Sequence, residues 1–207
     1  MSGARSQLAL RLRVADARDA GAVAAIYAPI VRDTVVSFEL EPPDASEMER
    51  RIAVTRASHP WLVAEDGDGL AGYAYAAQHR SRAAYRWSAD VSVYTAERAR
   101  RQGVGGALYA ALLALLDDQG FHRIYAGITL PNAASVALHE AHGFAFVGRY
   151  RQVGFKLGAW HDVGWWERVL ATPSDPPEEP RALRNLLGTP VVEAALQRAA
   201  SGLRGGC

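Results

Sequence analysis

The stretch "RARRQGVGGALYAAL", residues 98–112, decides the reading of this chain. Arginines at 98, 100 and 101 and glycines at 103, 105 and 106 crowd the start of an apolar run. Val104, Leu108, Ala111, Leu112, Leu115 and Leu116 then fall on one stripe at helical spacing, and Gly120 is placed to end the helix. Just upstream, "YRWSADVSVYT" (85–95) is rich in β-formers. A strand, a glycine-rich turn and a helix in that order place unpaired backbone N–H groups, with the positive end of the helix dipole, where an anion binds.

Outward from that unit, strands and helices are interleaved. "LALRLRVA" (8–15) alternates like a strand, and Asp16 with Asp19 forms a capping pair for a helix through Tyr27. "PIVRDTVVSFELEPPD" (29–44) reads as a loop. Asp44 with Glu47 starts a second helix carrying Met48 and Ile52, and "WLVAED" and "LAGYAYAAQH" pair as a hairpin across "GDG". "HRIYAGITL" (122–130) is a strand, Pro131 and Asn132 open a shorter helix closed by Gly143, and "FAFVGRYRQVGFKLG" and "WHDVGWWERVL" give two last strands. This predicts one α/β (α+β) domain over residues 8–170, a central mixed, mostly antiparallel sheet flanked by about four helices. Beyond it, "TPSDPPEEP" reads as a linker, and residues 171–207 as an extension either solvated or loosely docked, or used for a partner contact.

Composition removes whole classes of function. The chain has 207 residues, 49% of them hydrophobic, and a net charge of +1, so no global field recruits nucleic acid or anionic lipid. Its one cysteine, Cys207, permits neither an internal disulfide framework nor a cysteine zinc cluster, and a reducing cytoplasm is the expected compartment. The longest apolar run, near Ala107 to Leu116, is far short of the about 18 residues that cross a bilayer. No metal site is expected: His161 and Asp162 are adjacent, but no third ligand is spaced for them.

The anion at Arg100–Gly106 is then a local question. A P-loop would end in Gly-Lys-Ser/Thr, and residues 103–107 hold neither lysine nor hydroxyl. A dinucleotide site would place an acid at the end of the next strand, which here reads "RIYAGITL". What remains, Arg100-x-x-Gly103-x-Gly105, resembles the Q/R-x-x-G-x-G/A signature of the GCN5-related N-acetyltransferase (GNAT) superfamily, and "LPNAASVALHEAHGF" (130–144) resembles its closing motif. "TVVSFELEPPD", "HPWLVAEDGDGLAGYAYA", "AYRWSADVSVYT" and "GFKLGAWHDVGWWER" extend the likeness to the phosphinothricin/methionine sulfone acetyltransferase branch over roughly residues 11–170.

The resemblance implies acetyl-CoA as cosubstrate and direct attack of a small amino-acid-like amine on its thioester. It implies a cofactor cradle of Arg100, Arg101, Gln102, Gly103, Val104, Gly105 and Gly106, with Val91, Val93, Asn132 and Ser135 alongside. No cysteine lies in the domain to carry an acyl group, which fits direct transfer. An ammonium must lose a proton to become a nucleophile, so a base is needed. The branch commonly has a glutamate where this chain has Asp90, shorter by one methylene; the aspartate is either base or water-positioner, or a structural carboxylate paired with an arginine.

His139 matches a position that implies a base, an acid or an orienting group for the thioester sulfur, the alternative being a histidine packed on its helix. Phe38, Arg82 and Tyr85 match substrate-contact positions; Arg82 would grip a carboxylate or phosphinate, unless it is a solvated loop arginine and Phe38 a plain core aromatic. Trp87 and the tryptophans of "WHDVGWW" read as core or dimer packing, and the branch implies a homodimer. Competing readings are transfer to another amine, such as a polyamine or antibiotic, and a non-catalytic acyl-CoA-binding module.

Overall fold

The computed structural model describes residues 10–170 and 174–202; the first two positions of the expected opening strand and Cys207 lie outside them. Seven strands form one sheet in the order β1-β2-β3-β4-β5-β7-β6. They are β1 (Arg11–Val14), β2 (Trp61–Asp66), β3 (Gly69–Gln78), β4 (Ser88–Thr95), β5 (Arg123–Leu130), β6 (Ala145–Lys156) and β7 (Ala159–Val169). Every neighbouring pair is antiparallel except β4 and β5. This is the mixed, mostly antiparallel sheet expected from the sequence.

Alternation along the central strands sends side chains to two separate cores. Leu62, Ala64, Ala74, Ala76, Ala89, Val91, Ile124, Ala126 and Ile128 point to one face, which α3 (Val104–Gln119) covers with Leu108, Leu112, Leu115 and Leu116, all fully buried. Trp61, Val63 and Tyr73 point to the other, under α1 (Ala20–Asp33) and α2 (Ala45–Arg56). Small alanines on the first face let the broad apolar stripe of α3 approach the sheet closely. Large stacked rings on the second, Trp61 over Tyr75 at 4.4 Å, fill a wider gap.

The helix starts follow their caps. Asp44 accepts from the Glu47 N–H at 2.8 Å, and Asn132 from Ser135 at 3.1 Å to begin α4 (Ala133–Ala141). The Asp16/Asp19 box nucleates a short 3-10 turn from which α1 follows, and Asp19 is clamped by Arg13 through two bonds of 2.7 Å. α1 runs to Asp33, past the expected end at Tyr27, with Pro29 inside it. Proline forfeits one backbone hydrogen bond, but Ile30 and Val31 beyond it are buried and reward continuation.

The C-terminal segment differs from the solvated or loosely docked extension expected. A fifth helix, α5 (Pro190–Gly202), packs on α3 and β1, and Leu183, Leu186, Val192, Ala195 and Ala199 are buried. Gln119, buried at the end of α3, donates to Arg181 O at 2.6 Å and to Ser58 O at 2.8 Å, which ties tail, helix and loop together. Leu183→Ala is therefore expected to lower the unfolding free energy by about 2–5 kcal/mol, as for a filled core position. Chemical denaturation measures it, and a loss below about 1 kcal/mol would return the segment to loosely docked status.

Candidate active site

β4 and β5 run parallel but pair over three residues only, Ser88–Asp90 against Arg123–Tyr125, although both strands continue well beyond. Past Asp90 they part. Their outer edges stay bonded to β3 and β7, so the facing inner edges, Val91 to Thr95 and Ala126 to Leu130, lack strand partners. The cleft between them is lined by Val91, Val93, Tyr94, Thr129, Asn132, Ser135 and His139. Four positions singled out in the sequence for the cofactor, Val91, Val93, Asn132 and Ser135, thus meet here.

The glycine-rich turn closes one end of this cleft. Gly103 is the N-cap of α3 in the left-handed region (φ +79°), preceded by Arg101 at φ +60°, and no side chain caps the helix. The first-turn N–H groups are left for an outside acceptor. A Cβ built on Gly105 would stand 3.5 Å from Leu138 and 3.7 Å from Thr95, and one on Gly106 3.7 Å from His142. Internal packing therefore tolerates side chains at both positions, and the bare backbone there leaves room for a ligand. Val104 is buried in the core beneath the turn. Arg98 is held by Asp66 at 2.7 Å, and Gln102 donates to Arg98 O at 2.7 Å, so these two brace the turn; Arg100 and Arg101 make no ion pair with another described residue.

His139 is buried, with both ring nitrogens engaged. Nδ1 donates to Ser135 O at 2.7 Å, and Nε2 then accepts from the Tyr109 hydroxyl at 2.7 Å. Burial pushes the His139 imidazole below its usual pKa, which keeps it neutral, and pushes Tyr109 well up. In this arrangement His139 orients the Tyr109 hydroxyl beside the cleft and has no lone pair free to act as a base. Sequence reading missed Tyr109, which looks like one more core residue of the α3 stripe.

Asp90 stands where the strands part, on the α1/α2 face of the sheet. Its Oδ1 accepts from His79 Nδ1 at 2.6 Å, so its partner is a histidine, not the arginine weighed from the sequence. Burial raises the Asp90 pKa, and the His79 bond opposes that rise. The imidazole of His79 is stacked on Tyr125 (4.5 Å) and met edge-on by Tyr85 (5.9 Å) and Trp165 (6.4 Å). Tyr85, one of the expected substrate contacts, therefore belongs to this cluster. Arg82 lies on the same β3–β4 connection with no hydrogen bond or ion pair to another described residue.

Phe38 is not a core aromatic. It is partly exposed and lies against Gly154 of β6, where a Cβ would collide with its ring, with His161 6.4 Å away. The loop that carries it is anchored by Lys156, a buried ammonium donating to Val31 O at 2.5 Å and Ser37 O at 2.6 Å. His161 and Asp162 diverge, His161 donating to Lys156 O and Asp162 accepting from Gln152 N–H. Among the described residues, no group of three His, Cys, Asp or Glu is placed to hold a metal. Of the tryptophans, Trp166 is core, whereas Trp160 is 60% exposed.

A GNAT acetyltransferase domain model matches residues 12–165. The chain belongs to the GNAT acetyltransferase family. Phosphinothricin N-acetyltransferase of Streptomyces viridochromogenes is 40% identical over 167 residues, 81% of this chain and 91% of that protein. The L-methionine sulfoximine/L-methionine sulfone acetyltransferase of Pseudomonas paraeruginosa is 34% identical over 161 residues, covering 77% and 94%. The crystal structure of a GNAT superfamily phosphinothricin acetyltransferase from Sinorhizobium meliloti in complex with acetyl-CoA superposes with a TM-score of 0.77 at 34% identity, over 82% of this chain and 96% of that one. This GNAT protein is accordingly an N-acetyltransferase.

Lys156 gives a test of how the site is held. Lys156→Met would leave two buried carbonyls without a donor, at about 1–3 kcal/mol each. The expected result is faster hydrogen exchange at residues 34–40 together with a lower unfolding midpoint. Unchanged exchange there would mean that the Phe38 loop is set by other contacts.

Proposed function

We propose that this enzyme acetylates the α-amine of a small amino-acid-like substrate of the phosphinothricin or methionine sulfoximine/sulfone type, with Asp90 as the base. The observation that carries the reading is the position of Asp90. It is the last residue of β4 paired to β5, on the sheet face that α1 and α2 leave open beyond β4. A carboxylate there meets an amine arriving from that face, while the cleft beyond it takes an extended ligand along two unpaired strand edges.

Acetyl-CoA supplies the acyl group, activated as a thioester. The residues proposed to receive it are Arg100 to Gly106 at the pyrophosphate, through backbone N–H groups, and Val91, Val93, Asn132 and Ser135 along the arm. Asp90 removes a proton from the substrate ammonium so that the nitrogen lone pair can form the new N–C bond as the C–S bond breaks. The Tyr109 hydroxyl lies beside the cleft with its one proton given to His139 Nε2, so the sulfur takes its proton from the nitrogen or from solvent. Arg82 and Tyr85 on one side and Phe38 on the other would hold the acceptor, Arg82 by two hydrogen bonds to its carboxylate or phosphinate. Acetylation blocks the amine of such a compound, the chemistry by which a toxic amino-acid analogue is inactivated.

The transferase unit is taken as residues 8–170, with 171–207 as an extension whose described part is packed on α3 and β1. Absence of cysteine before residue 207, and of any described helix long and apolar enough to cross a membrane, supports a reducing cytoplasm. A homodimer is supported by the apolar side chains that the edge strand β6 exposes, Phe146, Val147, Tyr150, Val153 and Phe155, each more than half exposed.

Thiol release from acetyl-CoA, measured across amino acids and their phosphinic and sulfone analogues, tests the reaction. Turnover should be confined to such amines, and Asp90→Asn should lower kcat by about 100-fold or more with acetyl-CoA binding retained. Tight acetyl-CoA binding with turnover on no amine would favour a non-catalytic module instead. For assembly, light scattering should give a dimer, and Val153→Lys with Phe155→Lys should give a monomer; a monomeric wild-type chain would refute the interface.

A further inference from the structure

Resting on Asp90 as the base, we propose that His79 is a positioning residue for acetyl transfer: its Nδ1–H fixes one oxygen of Asp90 so that the other faces the incoming ammonium. Three features of the site lead to this assignment.

First, an aspartate arm is one methylene shorter than a glutamate arm, so its carboxylate stays close to the strand and needs outside support to be aimed. His79 supplies it at 2.6 Å from Oδ1, whereas Oδ2 has no hydrogen-bond partner among the described residues. The Asp90 side chain is 33% exposed and that of His79 13%, so the carboxylate is the more open of the two and the imidazole stands behind it.

Second, the imidazole is fixed by groups from three different elements. Tyr85 comes from the β3–β4 connection, Tyr125 from β5 and Trp165 from β7. Their rings set its plane and hence the direction of its N–H. The register adds to this: Ala77 pairs with Asp90 and Gln78 with Ala89, so His79 emerges just beyond the end of β3 and turns back toward Asp90.

Third, the electrostatics need a counterweight. Burial alone pushes Asp90 toward the protonated form, in which it cannot accept a proton. The His79 hydrogen bond and charge, with a smaller contribution from Arg80, act in the opposite direction. The other titratable groups facing the pair are Tyr85 on the same connection, Tyr75 of β3 and Tyr125 of β5. Glu167 of β7 and Arg123 of β5 flank Tyr125, and burial keeps Tyr75 and Tyr125 protonated near neutrality.

The proton balance is direct. Asp90 takes one proton from the ammonium; the nitrogen lone pair then forms the N–C bond while the C–S electrons leave on sulfur. The second proton lost by nitrogen matches the one gained by the thiolate, so the net products are amide, thiol and one proton released from Asp90 to solvent. His79 keeps its own proton throughout and touches no reacting atom.

The test compares His79→Phe, which keeps a ring against Tyr125 without a donor, with His79→Asn, whose amide N–H can replace Nδ1–H. Steady-state kinetics and carboxyl-carbon NMR titration of Asp90 are the readouts. His79→Phe should lower kcat by about 10- to 100-fold, leave the acetyl-CoA KM unchanged and move the Asp90 titration to higher pH; His79→Asn should recover most of both. Equal impairment in the two variants with an unmoved Asp90 titration would reduce His79 to packing and overturn the proposal. Full turnover in Asp90→Asn would overturn the underlying assignment of the base, whatever the His79 variants do.

Discussion

The early parting of β4 from β5 is the constraint on which the rest of the structure depends. Parallel strands normally keep pairing while both remain extended, because a buried N–H or C=O without a partner is costly. Here the ladder stops after Asp90 and Tyr125, and two strand edges are left facing each other across a gap. Such edges are tolerable only if something else satisfies them, as water or an extended ligand carrying amides can. The glycine-rich turn stands at the far end of the same gap, where the N-terminus of α3 presents further unpaired N–H groups. Sheet and helix thus both leave donors unmet along one line.

Everything that holds the gap open acts from outside it. β3 grips one strand and β7 the other over long antiparallel registers, so neither can swing across to close the ladder. α3 packs the alanine-rich face beneath β2 to β4, and α5 packs in turn on α3, which makes the C-terminal segment part of the foundation of the turn that α3 begins. Loops complete the walls through single polar anchors, Lys156 for residues 31–37 and His79 for the β3–β4 connection.

What the sequence disclosed and what it withheld divide along physical lines. Caps at Asp44, Asn132 and Gly120 act within a few residues of themselves, so their type and spacing are visible in one dimension, and the helices they begin or end were legible. The glycine-rich turn was legible for the same reason. His79, Lys156 and Tyr109 work through partners brought near by the sheet: Asp90 across a hairpin, Val31 and Ser37 more than a hundred positions away, His139 on another helix. Each side chain alone is ordinary. Pro29 marked a helix end by propensity, yet the burial of Ile30 and Val31 outweighed it. The tail's short apolar patterns carried no sign of which surface they would meet.

The aromatic walls show how this site depends on side chains that are absent. Trp165 lies over Gly127, where a Cβ would stand 3.3 Å from the indole, and Phe38 lies over Gly154, where a Cβ would collide with the ring. Both glycines are in strands, where their lost packing and extra unfolded-state freedom are a disadvantage. The rings gain what the strands give up, since each seats flat on bare backbone and is fixed in orientation by it. Trp165 then meets His79 edge-on, and His79 in turn holds Asp90, so the aim of the carboxylate depends through three contacts on a missing methyl at residue 127. Sheet positions that look like weaknesses in a stability account are thereby part of what gives the face that carries Asp90 its geometry.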